Sequence, residues 1–215
     1  ILFLQMKMIK TTYQTIFDFE DALAEYTGAP YAIATTSCTH GLELCLRYYN
    51  IKKFEQTAFT YLSVIQMYRQ LSIDYTLTDE KWSGEYKLHG TNIWDSARKL
   101  AKGMYRKGDI HSLSFGINKP LTVGRHGALK AGAILLDDAT AYKAISRMRA
   151  DGRDLKEFPH TGATKWAEQK VFKQAYHYMP TLDDCKTGLE LLKTIKNNID
   201  QSVDYPDLRT ITFEE

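Results

Sequence analysis

Tyr31-Ala32-Ile33-Ala34-Thr35-Thr36-Ser37-Cys38-Thr39-His40-Gly41-Leu42 begins as a short apolar run and passes through small hydroxyl residues. It then continues with Leu42, Cys45, Leu46 and Tyr49 at helical spacing. A buried strand, a tight loop and a helix fit that order. Upstream, Ile16, Phe19, Leu23 and Tyr26 share one face of a helix over about 12–26, stopped by Gly28 and Pro30. Downstream the alternation repeats. Strand patterns fall at 56–59, 74–77, 86–89, 91–94, 110–115 and 131–136, and helical patterns at 61–71 and 137–149. The stretch 151–164 reads as loop, and two further helices are expected at 165–176 and 182–198. Strand–helix alternation predicts an α/β domain with a mostly parallel sheet covered by helices on both faces, and ligands at the carboxyl ends of its strands.

The chain has 215 residues, 44% of them hydrophobic, enough for a single domain over 1–215. Its 28 basic and 26 acidic residues leave a net charge of +2, which argues against nucleic acid or a membrane surface as partner. Cys38, Cys45 and Cys185 form no C-x-x-C pair, and an odd number suits no closed disulfide set, so reduced thiols in a cytoplasmic protein are expected. The opening Ile1-Leu2-Phe3-Leu4 is too short for a signal peptide or a membrane span. His89, His111 and His126 have no standard ligand spacing, so no metal is expected. No G-x-G-x-x-G or G-x-x-x-x-G-K-[ST] is present to suggest a plain nucleotide-binding domain.

Three stretches carry chemistry. Ser37, Cys38 and Thr39 stand where a strand gives way to a helix N-terminus, which serves equally as a phosphate cradle or a simple helix cap. Asp95 ends an apolar strand, where a carboxylate needs a cation or hydrogen bonds; a pyridinium nitrogen is one such cation, and a cap before Ala97 is the plainer role. Ser114 and Lys119 follow another buried strand, so the lysine either enters a cleft as a nucleophile or sits in solvent. Asp95 and Lys119 are 24 residues apart, room for a helix and a returning strand.

In that order these segments resemble the DegT/StrS sugar aminotransferases. Phe19-Glu20-Asp21-Ala22-Leu23-Ala24-Glu25-Tyr26-Thr27-Gly28 resembles the family's entry helix, and Ala34 to Leu42 its S-G-T-x-A-L phosphate loop. Phe59-Thr60-Tyr61 resembles its T-F or T-W segment, Asp95-Ser96-Ala97 its D-x-A, and Gly108-Asp109 through Ser114-Phe115 to Lys119 its G-D-…-S-F-x-x-x-K. Tyr178-Met179-Pro180-Thr181-Leu182 is weakly similar to its N-x-R-M-x-x-L.

The resemblance implies a three-layer, aspartate aminotransferase-like fold (type I), with a pyridoxal 5'-phosphate (PLP)-binding core over 12–150, a C-terminal loop and helices over 151–215, and a reduced small domain. It implies a PLP-dependent aminotransferase that moves an amino group, from glutamate, to a keto (nucleotide-)sugar through a Lys119 Schiff base. Asp95 would pair with the pyridine nitrogen, Ser37, Cys38, Thr39 and Ser114 would hold phosphate, and Tyr61 would stack on the ring, with Ala97 and Arg98 beside it. It also implies a homodimer. The departures are Cys38 for the loop glycine, Arg98 after D-x-A, Tyr176-His177-Tyr178 without Asn or Arg, Gly124-Arg125-His126-Gly127 after the lysine, and a nearly deleted link between Gly90 and Asp95. They leave room for a PLP-binding homologue that does not transaminate and serves as a binding or assembly subunit. Sugar dehydration is a third reading, disfavoured because Lys119 is present.

Overall fold

A computed structural model describes residues 2–122, 131–157, 170–195 and 204–214, with side chains from residue 13 onward. Helix α1 (Leu2–Thr27) leads into strand β1 (Tyr31–Thr35), helix α2 (Cys38–Tyr48), strand β2 (Lys53–Thr57), helix α3 (Leu62–Gln70) and strand β3 (Asp74–Thr78). Strands β4 (Tyr86–Lys87), β5 (Ile93–Ser96), β6 (Ile110–Ser114) and β7 (Gly132–Leu136) follow, then helices α4 (Ala139–Arg149) and α5 (Leu182–Leu192).

Alternation within the strands builds three layers. In β7, Ala133 and Leu135 pack with Phe19 and Leu23 of α1 and Cys185 of α5, while Ile134 and Leu136 pack with Leu42 and Cys45 of α2 and Ile145 and Met148 of α4. Both faces of the strand are buried, which is why 131–136 reads as an unbroken apolar run.

The sheet is not mostly parallel, contrary to the expectation from alternation. Its order is β1-β7-β6-β5-β4, and only β5 and β6 run parallel within it; β2 and β3 form a separate parallel pair. Two causes are visible. β7 enters reversed between β1 and β6, while residues 88–92 are too short for the crossover that parallel strands need, so β4 and β5 close as a hairpin. A bridge between Glu55 and His89 links the backbones of the two sheets.

The helix expected at 165–176 is also corrected where it is described. Residues 170–176 are irregular, because their backbone pairs with the end of α4: Tyr176 N–H donates to Met148 O at 2.7 Å and Phe172 N–H to Gly152 O at 3.2 Å. Residues 165–169 lie outside the described residues, as do 196–198 of the last expected helix, while α5 itself ends at Leu192.

At the outer side of β1, Ala34 N–H donates to Glu20 at 2.8 Å and Ala34 O accepts from Arg149 at 2.7 Å. Glu20 and Arg149 also pair with each other, both buried. Burial raises the Glu20 pKa, and the Arg149 charge opposes it.

Candidate active site

β1, β5 and β6 end around a cavity of about 540 Å³, closed on one side by the first turns of α2 and α3. Ser37 caps α2, its Oγ accepting from His40 N–H at 3.1 Å. Helix geometry leaves the next amides, of Cys38 and Thr39, without partners inside the helix, and the helix dipole adds positive potential there. Thr39 Oγ and Ser63 Oγ lie 2.8 Å apart and tie α2 to α3.

The loop sits this close to the sheet because of two glycines. A Cβ on Gly132 would stand 2.5 Å from Cys38 N and from the Ser37 carbonyl carbon. A Cβ on Gly41 would meet Ser112 Oγ at 2.5 Å.

Asp95 closes the floor and is buried. Its Oδ2 accepts from the Tyr86 hydroxyl at 2.8 Å; its Oδ1 accepts from Ala97 N–H at 3.0 Å and from Cys38 Sγ at 3.5 Å. Burial raises its pKa, and these donors and the Lys119 charge pull it back in part. Tyr86 is braced by Thr60 Oγ, 2.7 Å from its hydroxyl. The Cys38 thiol is turned down onto the floor, against Asp95 and Ser112, and burial followed by the Asp95 charge holds it well above its ordinary pKa. It is a neutral donor to Asp95, so Cys38 can offer an anion only its amide.

On the opposite face of the β4–β5 hairpin, Glu85 gathers Lys99 Nζ at 2.7 Å, Arg106 Nη1 at 2.6 Å, Ser96 Oγ at 2.7 Å and His111 Nδ1 at 3.3 Å. Burial pushes its pKa up, but hydrogen bonds from His111, Arg106, Lys99 and Ser96 outweigh that and hold it well below the ordinary carboxylate range.

Lys119 follows β6 on a short turn, its N–H donating to Gly116 O at 3.3 Å, and Arg98 Nη1 steadies that turn by donating to Asn118 O at 2.7 Å. Ser114 lines the wall between them, and Tyr61, 63% exposed, stands at the mouth. All nine residues singled out in the sequence, Ser37, Cys38, Thr39, Tyr61, Asp95, Ala97, Arg98, Ser114 and Lys119, line this one cavity. The sequence reading missed Tyr86, Trp82 and Tyr205. Tyr86 could have been found by reading 86–94 as a hairpin around Gly90, which sets it opposite Asp95. Tyr205 lies in a stretch without apolar periodicity and gave no signal.

Residues 3–81 match the sequence model of the DegT/DnrJ/EryC1/StrS aminotransferase family. Over that stretch the chain is similar to this family. The matched DegT segment includes the α2 loop and Tyr61 and ends before Asp95 and Lys119. No curated protein matches the chain. Among solved structures, an aminotransferase from Psychrobacter cryohalolentis superposes with a TM-score of 0.66 at 15% identity, over 84% of this chain and 56% of its own. PseC of Helicobacter pylori, an aminotransferase of pseudoaminic acid biosynthesis, gives 0.65 at 14%, over 84% and 58%. An E. coli GDP-4-keto-6-deoxy-D-mannose-3-dehydratase with bound hydrated PLP gives 0.65 at 12%, over 84% and 60%. The chain shares the type I fold of these solved structures and spans less than two thirds of their length.

Proposed function

We propose that the cavity holds pyridoxal 5'-phosphate and that the chain is a PLP-dependent aminotransferase, taking an amino group from glutamate and giving it to a keto (nucleotide-)sugar. The observation that carries this reading is Asp95. It is a buried carboxylate whose hydrogen-bond partners among the described residues are all neutral, and it shares a cavity with a lysine amine and a helix N-terminus. A buried charge without a counter-charge is costly. A protonated ring nitrogen supplies that counter-charge, a phosphate suits the first turn of α2 with the hydroxyls of Ser37, Thr39 and Ser114, and an aldehyde suits Lys119.

When bound, PLP supplies an electron sink for the substrate carbon. The chain's residues do the rest. Asp95 keeps the ring proton in place, and Tyr86, Cys38 and the Ala97 amide orient Asp95. Lys119 would hold the cofactor, and its Nζ would take and return a proton. Tyr61 would cover the cofactor from the mouth of the cavity, and Arg98 fixes the lysine turn. The apolar rim formed by exposed Tyr61, Leu62 and Ile117 favours a homodimer closing over the mouth, which light scattering checks. Three buried free cysteines favour a cytoplasmic setting. No described helix is long and apolar enough to cross a membrane.

The test is an absorbance spectrum with added PLP, borohydride reduction and peptide mapping. The expected result is a visible band, a reduced label on the Lys119 peptide, and loss of both, with the glutamate half-reaction, in Lys119→Ala. Absence of label on Lys119 overturns the reading. The short β4–β5 hairpin favours a second reading, a PLP-binding subunit that does not transaminate. Label on Lys119 without amino transfer to any of a panel of keto-sugars selects it.

A further inference from the structure

Resting on that reading of the cavity, we propose that Tyr205 is a further catalytic residue, whose phenol relays a proton from the Lys119 amine by accepting it at Oη as its own hydroxyl proton moves on. Lys119 Nζ makes one hydrogen bond among the described residues, to Tyr205 Oη at 3.4 Å. That length is the loose end of hydrogen-bond reach, as is usual for catalytic pairs before a ligand tightens them. Tyr205 comes from the far end of the chain, so its place beside Lys119 is set by tertiary structure alone.

The surroundings hold the phenol there. Its ring stacks on Trp82, with centroids 5.8 Å apart and planes 15° apart, and Trp82 is pinned by an Nε1–H donated to Phe59 O at 2.6 Å. Tyr61 meets the other part of the ring edge-on at 6.5 Å. Residues 204–214 are strapped down beyond it. Leu208 is buried and its N–H donates to Ala58 O at 3.1 Å, Arg209 pairs with Asp79 and Asp207, and Arg69 lies 4.3 Å above the Phe213 ring.

The chemistry needs a proton acceptor at this atom. When a lysine ammonium joins an aldehyde, the N–C bond forms and the C=O bond breaks. Two protons leave nitrogen and depart with the aldehyde oxygen as water, while one stays on nitrogen. No oxidant or reductant is needed. Tyr205 Oη is placed to accept the first of those protons while its own hydroxyl proton passes to the aldehyde oxygen, leaving the phenol neutral before and after, and to run the same relay in reverse when Lys119 is released.

Tyr205→Phe keeps the ring, its stack on Trp82 and the strap, and removes only the hydroxyl. The rate at which PLP becomes attached to Lys119 is read as borohydride-fixed label on the Lys119 peptide against mixing time. We expect it to fall about 10-fold or more with Tm unchanged, and kcat for glutamate to fall by a factor on the order of 10² with KM within a few-fold. A role in packing alone would leave attachment and kcat intact in Tyr205→Phe and lose them only in Tyr205→Ala. Wild-type rates in Tyr205→Phe, with the parent protein labelled normally, overturn this inference and leave the cofactor reading standing. A parent protein that takes no label on Lys119 overturns both.

Discussion

Asp95 and Glu85 sit on opposite faces of one short hairpin, and the chain treats the two carboxylates in opposite ways. Around Glu85 it sets Lys99, Arg106 and His111 within hydrogen-bonding distance. Around Asp95 it sets a phenol, a thiol and an amide. Burial acts on both; hydrogen bonds outweigh it at Glu85, while at Asp95 the neutral donors and the Lys119 charge offset it only in part, so the pKa of one is lowered and that of the other is raised. A carboxylate finished by its own chain holds structure together. One left short of a cation inside a cavity waits for something to bring it.

The largest way to break that contrast is Asp95→Asn. Amino transfer should fall by about 10³-fold, the scale of removing a group aimed at reacting charge, while the ligand-free protein keeps or gains stability because a costly buried charge is gone. Since the folded pKa of Asp95 is raised above its ordinary 3.8, the parent binds that proton more tightly when folded, so it loses stability as pH rises above 3.8. The Tm advantage of Asp95→Asn should therefore grow from pH 4 to pH 7 in a thermal melt.

Glu85→Gln should do the reverse. Leaving Lys99 and Arg106 without their buried carboxylate costs about 3 kcal/mol, or a Tm lower by roughly 6–12 °C, with little change in cofactor affinity. The folded pKa of Glu85 is depressed, so its contribution is present above its ordinary 4.5 and is lost as pH falls below that value. The Tm gap between Glu85→Gln and the parent should close as pH drops from 5 toward 3. Parallel slopes for the two variants would dissolve the contrast. Gly132→Ala, which forces the α2 loop off the sheet without touching a charge, sharpens it from a third side. About 1–3 kcal/mol of stability should go, and PLP affinity should weaken by about tenfold, by equilibrium dialysis.

Much of this was open to reading from residue order. The run Ala131–Leu136 reads as a strand buried on both sides, and the hydroxyl cluster after Ala34 as the start of a helix, because local pattern and burial agree there. The nine site residues fall in one cavity because each lies just past a strand or at a helix start, where α/β topology gathers side chains. Strand direction was not legible: a two-residue β4 has no period of its own, and only the short link 88–92 decides that it turns back. Tyr205 and Trp82 were hidden for a different reason. Each owes its position to a partner distant in sequence, and neither pairing leaves a trace in spacing.

The salt-bridged pair Glu20 and Arg149 has a consequence beyond packing. Among the described residues β1 is the last strand of its sheet, and an uncovered last strand offers its backbone to any passing chain as a template for cross-chain pairing and aggregation. Here the Ala34 amide and carbonyl are already taken by a carboxylate and a guanidinium, and the Thr36 amide by Tyr178 O at 2.9 Å. The margin of the sheet is thus sealed by side chains that no incoming strand can displace without stranding two charges in the protein interior.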